Sequence, residues 1–388
     1  MELIEVGHFV LNKLNESGYE AYFVGGMVRD QLLGRKIYDV DITTSAQPEI
    51  VQSLFEKTYA TGIAHGTITV VIDNILVEVT TFRVEGEYLD YRHPKSVAFT
   101  ASLDEDLQRR DFTINAMVKN RAGELYDPLQ GLNDLQSKTL RAVGHPEARF
   151  KEDPLRMLRA IRFVSKLGFK LANDVYLAIK NQRHLLKQLA KERIKKELYG
   201  VMEGNYKDQA LALLFETKLL DSFEMLQPLH KYQTYSFKSL QSGLDFFVLA
   251  GYEVVDLSSF LMDWPFSKAE KRSIKLIKEL LLQPLKSTYI QYYYGVEIAY
   301  LYHRFQCFLE QKEVKFIIYD LPITSLKDIE VTGADLLQLT NRKKGPWVGQ
   351  LLAQIESEIV SGKIDNKKDE ILEFVYRQGA IYEKEEKD

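Results

Sequence analysis

The chain has 388 residues, 45% of them hydrophobic and 27% charged, with a formal net charge of −4, which is the balance of a globular protein with length for two to four domains. No run of about eighteen apolar residues occurs, which excludes a membrane-spanning helix. The single cysteine, Cys307, can close no internal disulfide and has no partners for a zinc site, the seven histidines show no metal-ligand spacing, and the absence of a His-Asp dipeptide sets aside a fused phosphohydrolase domain of the HD kind.

Leu3 to Ser17 reads as an amphipathic helix with early acids and no cleavage site, so export is not expected and the predicted location is cytoplasmic. Tyr22, Phe23 and Val24 read as the end of a buried strand, Gly25 and Gly26 as a tight turn, and Met27 to Leu33 as a short helix closed by Gly34. A glycine turn that opens a helix leaves N–H groups unpaired and directed outward, an arrangement suited to a polyphosphate. Ile37 to Ile42 then reads as a second strand carrying Asp39 and Asp41. Residues two apart on a strand face the same side, so the two carboxylates converge, and their repulsion is relieved by hard cations such as Mg²⁺. Gln47 to Phe55 follows as a helix, and Gly66 to Ile72 with Ile75 to Phe82 as a hairpin around Asp73-Asn74. With Val77 and Val79 toward the core, Glu78 faces the opposite side, where it can join the two aspartates or serve as an edge-strand solubility charge. This mixed order predicts a small α/β domain with one helix-covered sheet over residues 1–143.

From Arg83 to Leu103 the sequence lacks regular pattern and reads as a long loop. The stretch L-Q-R-R-D-F-T-I-N-A-M follows. Arg110 has the fork geometry to grip a triphosphate and Asp111 can accept a ribose hydroxyl, although R-R-D alone also suits a capped surface turn. The run D-P-L-Q-G lies at Asp127 to Gly131. From Ala142 the period turns helical and stays so. Between His145 and Gly200 there are 14 Lys or Arg against 6 Asp or Glu, which fits either solvated helix faces or a seat for RNA phosphates. Within the predicted helix Ala148–Gly168, E-D-P-L-R-M-L-R-A-I-R-F places Asp153, Arg156, Arg159 and Arg162 three apart on one ridge, either a salt-bridged surface or the wall of a wet cleft. L-A-K-E-R-I-K-K-E-L at 189–198 reads as a further helix. Residues 206–320 are rich in Leu, Tyr and Phe and say only "helical". Near the end, V-T-G-A-D-L-L-Q-L-T-N-R-K-K-G-P-W-V-G-Q-L-L places a basic turn, Arg342 to Lys344, between two helices.

Taken together, G-G-M-V-R-D-Q-L-L-G-R-K-I-Y-D-V-D-I-T-T-S, R-R-D-F-T-I-N-A-M, D-P-L-Q-G, E-D-P-L-R and the tail stretch resemble the signatures of class II tRNA nucleotidyltransferases, the CCA-adding enzymes of the DNA polymerase β-like superfamily. The resemblance implies an α+β fold: a nucleotidyltransferase head with a small mixed sheet at 1–143, then an all-α neck at 144–205, body at 206–320 and tail at 321–388. It implies addition of C, C and A to the tRNA 3′ end from CTP and ATP, with two Mg²⁺ ions on Asp39 and Asp41 and with Glu78 as accessory carboxylate. Gly25, Gly26, Arg29 and Arg110 would cradle phosphates and Asp111 would take the ribose. Asp153 and Arg156, with Glu152 in support, would read the base as an amino-acid template, while Arg159 and Arg162 balance charge nearby. One carboxylate and one guanidinium can accept the amino donor and ring acceptor that cytosine and adenine share, whereas guanine and uracil would leave the acid unpaired, at about 1 to 3 kcal/mol. Asp90, Tyr91, Arg92 and Pro94 resemble the flexible loop used in switching from CTP to ATP, the tail resembles a holder of the tRNA elbow, and no membrane or obligate protein partner is expected. Two rival readings remain: a poly(A) polymerase or a transferase adding only CC or only A, and a non-catalytic RNA-binding protein.

Overall fold

The computed structural model describes residues 2–85, 97–315 and 318–385, and the predicted loop residues Asp90 to Pro94 lie outside them. The chain separates into two compact units, 1–234 and 235–388.

The first unit begins with α1 (Leu3–Glu16), whose Val6, Val10, Leu11 and Leu14 recur at helical spacing and are fully buried. Gly7 lies on the same face because a Cβ there would stand 2.9 Å from Val40 Cγ1, so only glycine lets the helix settle this closely. β1 (Ala21–Val24), α2 (Gly26–Leu32), β2 (Asp41–Thr44), α3 (Pro48–Leu54), β3 (Thr58–Gly62), β4 (Thr67–Ile72) and β5 (Ile75–Thr81) follow. Next come β6 (Arg83–Glu85), β7 (Val97–Phe99), α4 (Leu103–Gln108), β8 (Val118–Lys119), β9 (Leu125–Tyr126) and α5 (Gly131–Gln136). Seven of the strands form one mixed sheet in the order β3-β4-β5-β2-β1-β8-β9, in which β2 and β5 run parallel and the other pairs antiparallel. The β4–β5 turn is the expected Asp73-Asn74 pair, with φ of 50° and 63°, the left-handed geometry that two-residue hairpins demand.

One strand boundary differs from the sequence expectation. β2 begins at Asp41 rather than Ile37, because at Gly25 the neighbouring β1 leaves the sheet to start α2, and residues before Asp41 lose that partner. Asp39 therefore lies in exposed chain just before the strand. β3, at the sheet edge, has no counterpart in the sequence reading. Its burial pattern is mostly exposed, so it carries no alternation of apolar and polar residues to read.

β10 (Thr139–Leu140) leads to α6 (Pro146–Glu152), α7 (Leu155–Leu167), β11 (Lys170–Leu171), α8 (Asn173–Gln182), α9 (Lys191–Met202) and α10 (Lys207–Glu216). The single helix expected over 148–168 is two helices. Pro154 disfavours helical backbone at Asp153, which adopts φ −138° and ψ 98°, so α6 stops there and α7 starts afresh. β10 and β11 form a small parallel pair within the otherwise helical stretch.

The second unit is helical: α11 (Gly243–Glu253), α12 (Leu257–Asp263), α13 (Lys268–Leu282), α14 (Ser287–Tyr294), α15 (Val296–Leu309), α16 (Gly333–Thr340), α17 (Trp347–Val360) and α18 (Lys368–Glu385). Its last three helices close over Leu336, Ile355, Ile359 and Ile371, all fully buried. α16 starts as expected at Gly333, with Thr332 and Asp335 forming a reciprocal cap. No helix among the described residues is long and apolar enough to cross a membrane. The result is an N-terminal mixed sheet with helices followed by a helical remainder, the α+β architecture expected.

Candidate nucleotide-binding site

A cavity of about 610 Å³ opens in the first unit where the glycine turn, β2, the R-R-D segment, α7 and the end of α9 meet. Gly25 is the N-cap of α2 with φ +69°, and a Cβ on it would lie 3.5 Å from Asp41 Oδ2 and 3.7 Å from Arg110 Nη1. The bare backbone of Gly25 and Gly26 thus forms one wall, with the first N–H groups of α2 behind it. Arg29, nearly fully buried, also lines the cavity, but its guanidinium is already held: Nε and Nη2 donate to Asp30 at 2.9 and 3.0 Å, and Nη1 donates to Asn115 Oδ1 at 2.7 Å.

Asp41 is the acid of this wall. It is register-paired with Glu78 across the parallel β2–β5 ladder, so the two side chains project from the same face. Burial, then Glu78, raise the Asp41 carboxyl to about 6, with Asp39 adding to the rise and Arg110 and Arg29 opposing it. A cluster of mutually repelling carboxylates beside unpaired N–H groups suits a divalent cation shared with a phosphate. Mg²⁺ is commonly held by one or two carboxylates plus substrate oxygens rather than by an all-protein cage. Among the described residues no three His, Cys, Asp or Glu side chains converge as such a cage.

Arg110 and Asp111 sit opposite. The Arg110 Nη2 donates to Asp106 Oδ2 at 3.0 Å. Asp111 has both oxygens engaged: Oδ1 accepts from the Phe112 N–H at 2.8 Å and Asn115 Nδ2 at 3.1 Å, and Oδ2 accepts from Arg159 Nε at 2.9 Å and Nη2 at 2.5 Å. Despite burial, Arg159 and these donors hold the Asp111 carboxyl well below the usual range, and the pairing holds Arg159 charged. Arg162 faces Glu197 at 3.1 Å, and it fits only because Gly200 opposes it: a Cβ there would meet Arg162 Cδ at 2.4 Å.

Asp153 and Arg156 do not line this cavity. Asp153 Oδ1 accepts the Leu155 N–H at 3.1 Å and Oδ2 pairs with Arg193 at 2.9 Å. Arg156 donates to Glu152 at 2.7 Å and to the Arg109 carbonyl at 3.3 Å, and Arg149 donates to the Arg110 carbonyl at 2.8 Å. Glu152, Arg149 and Arg156 therefore bind the start of α7 to the chain that carries Arg110. Sequence reasoning missed Asp106, Asn115, Phe163, Lys166 and Glu203. Phe163 lies under the guanidinium groups of Arg29, Arg159 and Arg162 at 5.3, 5.7 and 5.9 Å. The N-A-M that follows R-R-D-F-T-I was a usable signal for Asn115, since a polar residue within an apolar run needs a partner.

Comparison with known proteins gives the same picture along the whole chain. Residues 21–141 match the model described as the poly A polymerase head domain, 168–229 that described as "probable RNA and SrmB-binding site of polymerase A", and 239–375 that described as "tRNA nucleotidyltransferase domain 2 putative". The chain is 39% identical to the CCA-adding enzyme of Bacillus pumilus, covering 94% of this chain and 95% of that protein. It is 39% identical to that of Bacillus cereus, covering 97% and 98%. Its fold is similar to the crystal structure of the Bacillus stearothermophilus CCA-adding enzyme in complex with CTP, at 32% identity and a TM-score of 0.81, covering 99% of this chain and all of that one. With this identity sustained over nearly the full length of both proteins, and a nucleotidyltransferase head around the cavity, the chain belongs to the family of CCA-adding enzymes, the tRNA nucleotidyltransferases.

Proposed function

We propose that this chain adds C, C and A in turn to the 3′ end of tRNA, using CTP and ATP and no nucleic-acid template. In each step the primer 3′-hydroxyl oxygen forms a bond to the α-phosphorus, the bond to the β-phosphate oxygen breaks, and diphosphate leaves. The observation that carries this reading is the convergence of the Gly25-Gly26 turn, Asp41, Arg110 and Asp111 on one cavity. Gly25, Gly26, Arg29 and Arg110 take the phosphates, and Asp111, already ordered by Asn115 and Arg159, takes the ribose. Asp39 and Asp41, with Glu78 beside them, would hold two Mg²⁺ ions, whose chemistry would be to lower the pKa of the primer hydroxyl and offset charge on the triphosphate. Asp153 and Arg156, paired in the free chain with Arg193 and Glu152, would read the base edge by exchanging those partners for it, while Arg159 and Arg162, which line the cavity, balance charge around the nucleotide. The head, neck, body and tail divide at 143, 205 and 320, with the tail on the tRNA, and the work is cytoplasmic.

The test is incubation of the purified protein with tRNA lacking its 3′ CCA and with each labelled nucleotide separately and together. The expected product ends in CCA, and Asp39→Ala abolishes incorporation of both nucleotides while tRNA binding persists. An oligo(A) tail would assign a poly(A) polymerase, a CC or A product alone a partial transferase, and no incorporation a non-catalytic RNA-binding protein.

A further inference from the structure

Asp106 is fully buried on α4, and no role above uses it. Its Oδ1 accepts from Arg109 Nε and Nη2 at 2.9 and 2.7 Å and from the Arg83 N–H at 3.3 Å. Its Oδ2 accepts from Arg110 Nη2 at 3.0 Å and from the Thr43 hydroxyl at 3.2 Å. The carboxylate therefore joins three segments that the sequence keeps far apart. Thr43 is two residues beyond Asp41 on β2 and so projects from the same face of the sheet. Arg110 is the guanidinium that faces Asp41 and the glycine turn.

Two further observations separate Asp106 from an ordinary buried ion pair. Among the described residues, the only side-chain hydrogen bond of the Arg110 guanidinium goes to Asp106, and Arg110 Nε is buried with no partner. Arg110 thus has a single anchor, at Nη2, while Nη1 lies on the cavity side near Gly25. A guanidinium with one anchor keeps its aim only as long as that anchor holds, and bidentate binding of a phosphate depends on aim as much as on charge. Burying the carboxylate is costly, and apolar residues often replace such groups without loss of stability, so stability alone does not call for it here.

We propose that Asp106 is a positioning residue for the incoming nucleotide: it fixes the Arg110 guanidinium relative to the Asp41 strand, so that triphosphate and carboxylates are presented to one another in one geometry. This rests on the nucleotidyl-transfer reading of the cavity. Incorporation by the unaltered chain tests that reading first, and its absence would sink the reading rather than this inference.

The inference itself is tested with Asp106→Asn, which keeps shape and removes charge, alone and combined with Arg110→Ala. Asp106→Asn is expected to raise KM for both CTP and ATP about tenfold, with KM for tRNA and kcat within about threefold of the unaltered chain. In the Arg110→Ala background the same change is expected to add less than about twofold, because the residue it acts through is gone. Thr43→Val, which leaves both charges in place and takes away only the shared donor, provides a second route if Asp106→Asn fails to fold. It is expected to raise KM for both nucleotides two- to threefold, and not at all when Arg110 is alanine. An unchanged nucleotide KM, or losses that multiply in the double variant, would overturn the proposal.

Discussion

The Asp41 carboxyl is placed against the interest of folding. An ordinary aspartate titrates near 4, and burial with Glu78 alongside raises this one to about 6. A raised acid favours the protonated form in the fold, so its contribution is complete below about pH 4, is lost as pH climbs to about 6, and stays lost above. Two pH units correspond to about 2 to 3 kcal/mol before solvent screening reduces the figure. Asp41→Asn should therefore stabilise the chelator-treated protein by about 2 kcal/mol at pH 8, with no gain at pH 4, while abolishing incorporation. Thermal melts at the two pH values check this, and equal melting temperatures at pH 8 would refute it. Asp41, Gly25 and Arg110 were legible in the sequence because their chemistry is local: a turn, an alternation, an adjacent pair. The partners of Asn115 and Asp106 were not, since Asn115 meets Arg29 across 86 positions and Asp106 meets Thr43 across 63. No periodicity records which distant chain will supply a partner.

At the level of elements, the hairpin over β4 and β5 could be read residue by residue, because alternation and turn chemistry agreed. The helix from 148 onward was read too simply, because its apolar period runs through Pro154 without a break while the backbone does not. That break matters for function. It takes Asp153 off the ridge of Arg156, Arg159 and Arg162 and lets Arg193 of α9 hold it. The packing of α7 on α9 is set by glycines, which a hydrophobic pattern does not display. A Cβ on Gly204 would stand 2.1 Å from Ser165 Oγ and 2.4 Å from the Ser165 carbonyl oxygen, which already accepts the Tyr206 N–H at 2.9 Å. The backbone there has no left-handed φ, so alanine is conformationally permitted and the clash alone decides. Gly204→Ala should cost about 1 to 3 kcal/mol. Urea denaturation is expected to show a lowered midpoint at unchanged slope, and an unshifted midpoint would mean that α9 ends more loosely than its contacts require.

For the molecule as a whole, a net charge of −4 offers no general attraction for RNA, so any affinity for tRNA must come from where the cations sit. The cavity lies within the first unit, and the basic turn Arg342-Lys343-Lys344 belongs to the second. The turn is built rather than loose: Trp347 Nε1 donates to the Lys343 carbonyl at 2.9 Å, and the Arg342 guanidinium lies 5.4 Å from the Trp347 ring. Asn341 reverses the chain at φ 50°, and Pro346 caps α17. Both lysines are exposed, free to meet phosphate without the cost of desolvating a buried charge. If the two units divide the work between nucleotide and RNA, their substitutions must separate in kinetics. Replacing Arg342, Lys343 and Lys344 by alanine together is expected to raise KM for tRNA about tenfold and to reduce the slope of log affinity against log salt by about two. KM for CTP and kcat at saturating tRNA should stay within about twofold, since no residue of the cavity is touched. Primer titrations at several salt concentrations would decide the matter. A tRNA KM that does not move would take the turn out of RNA binding, and a CTP KM that moves with it would show that the units do not divide the work in this way.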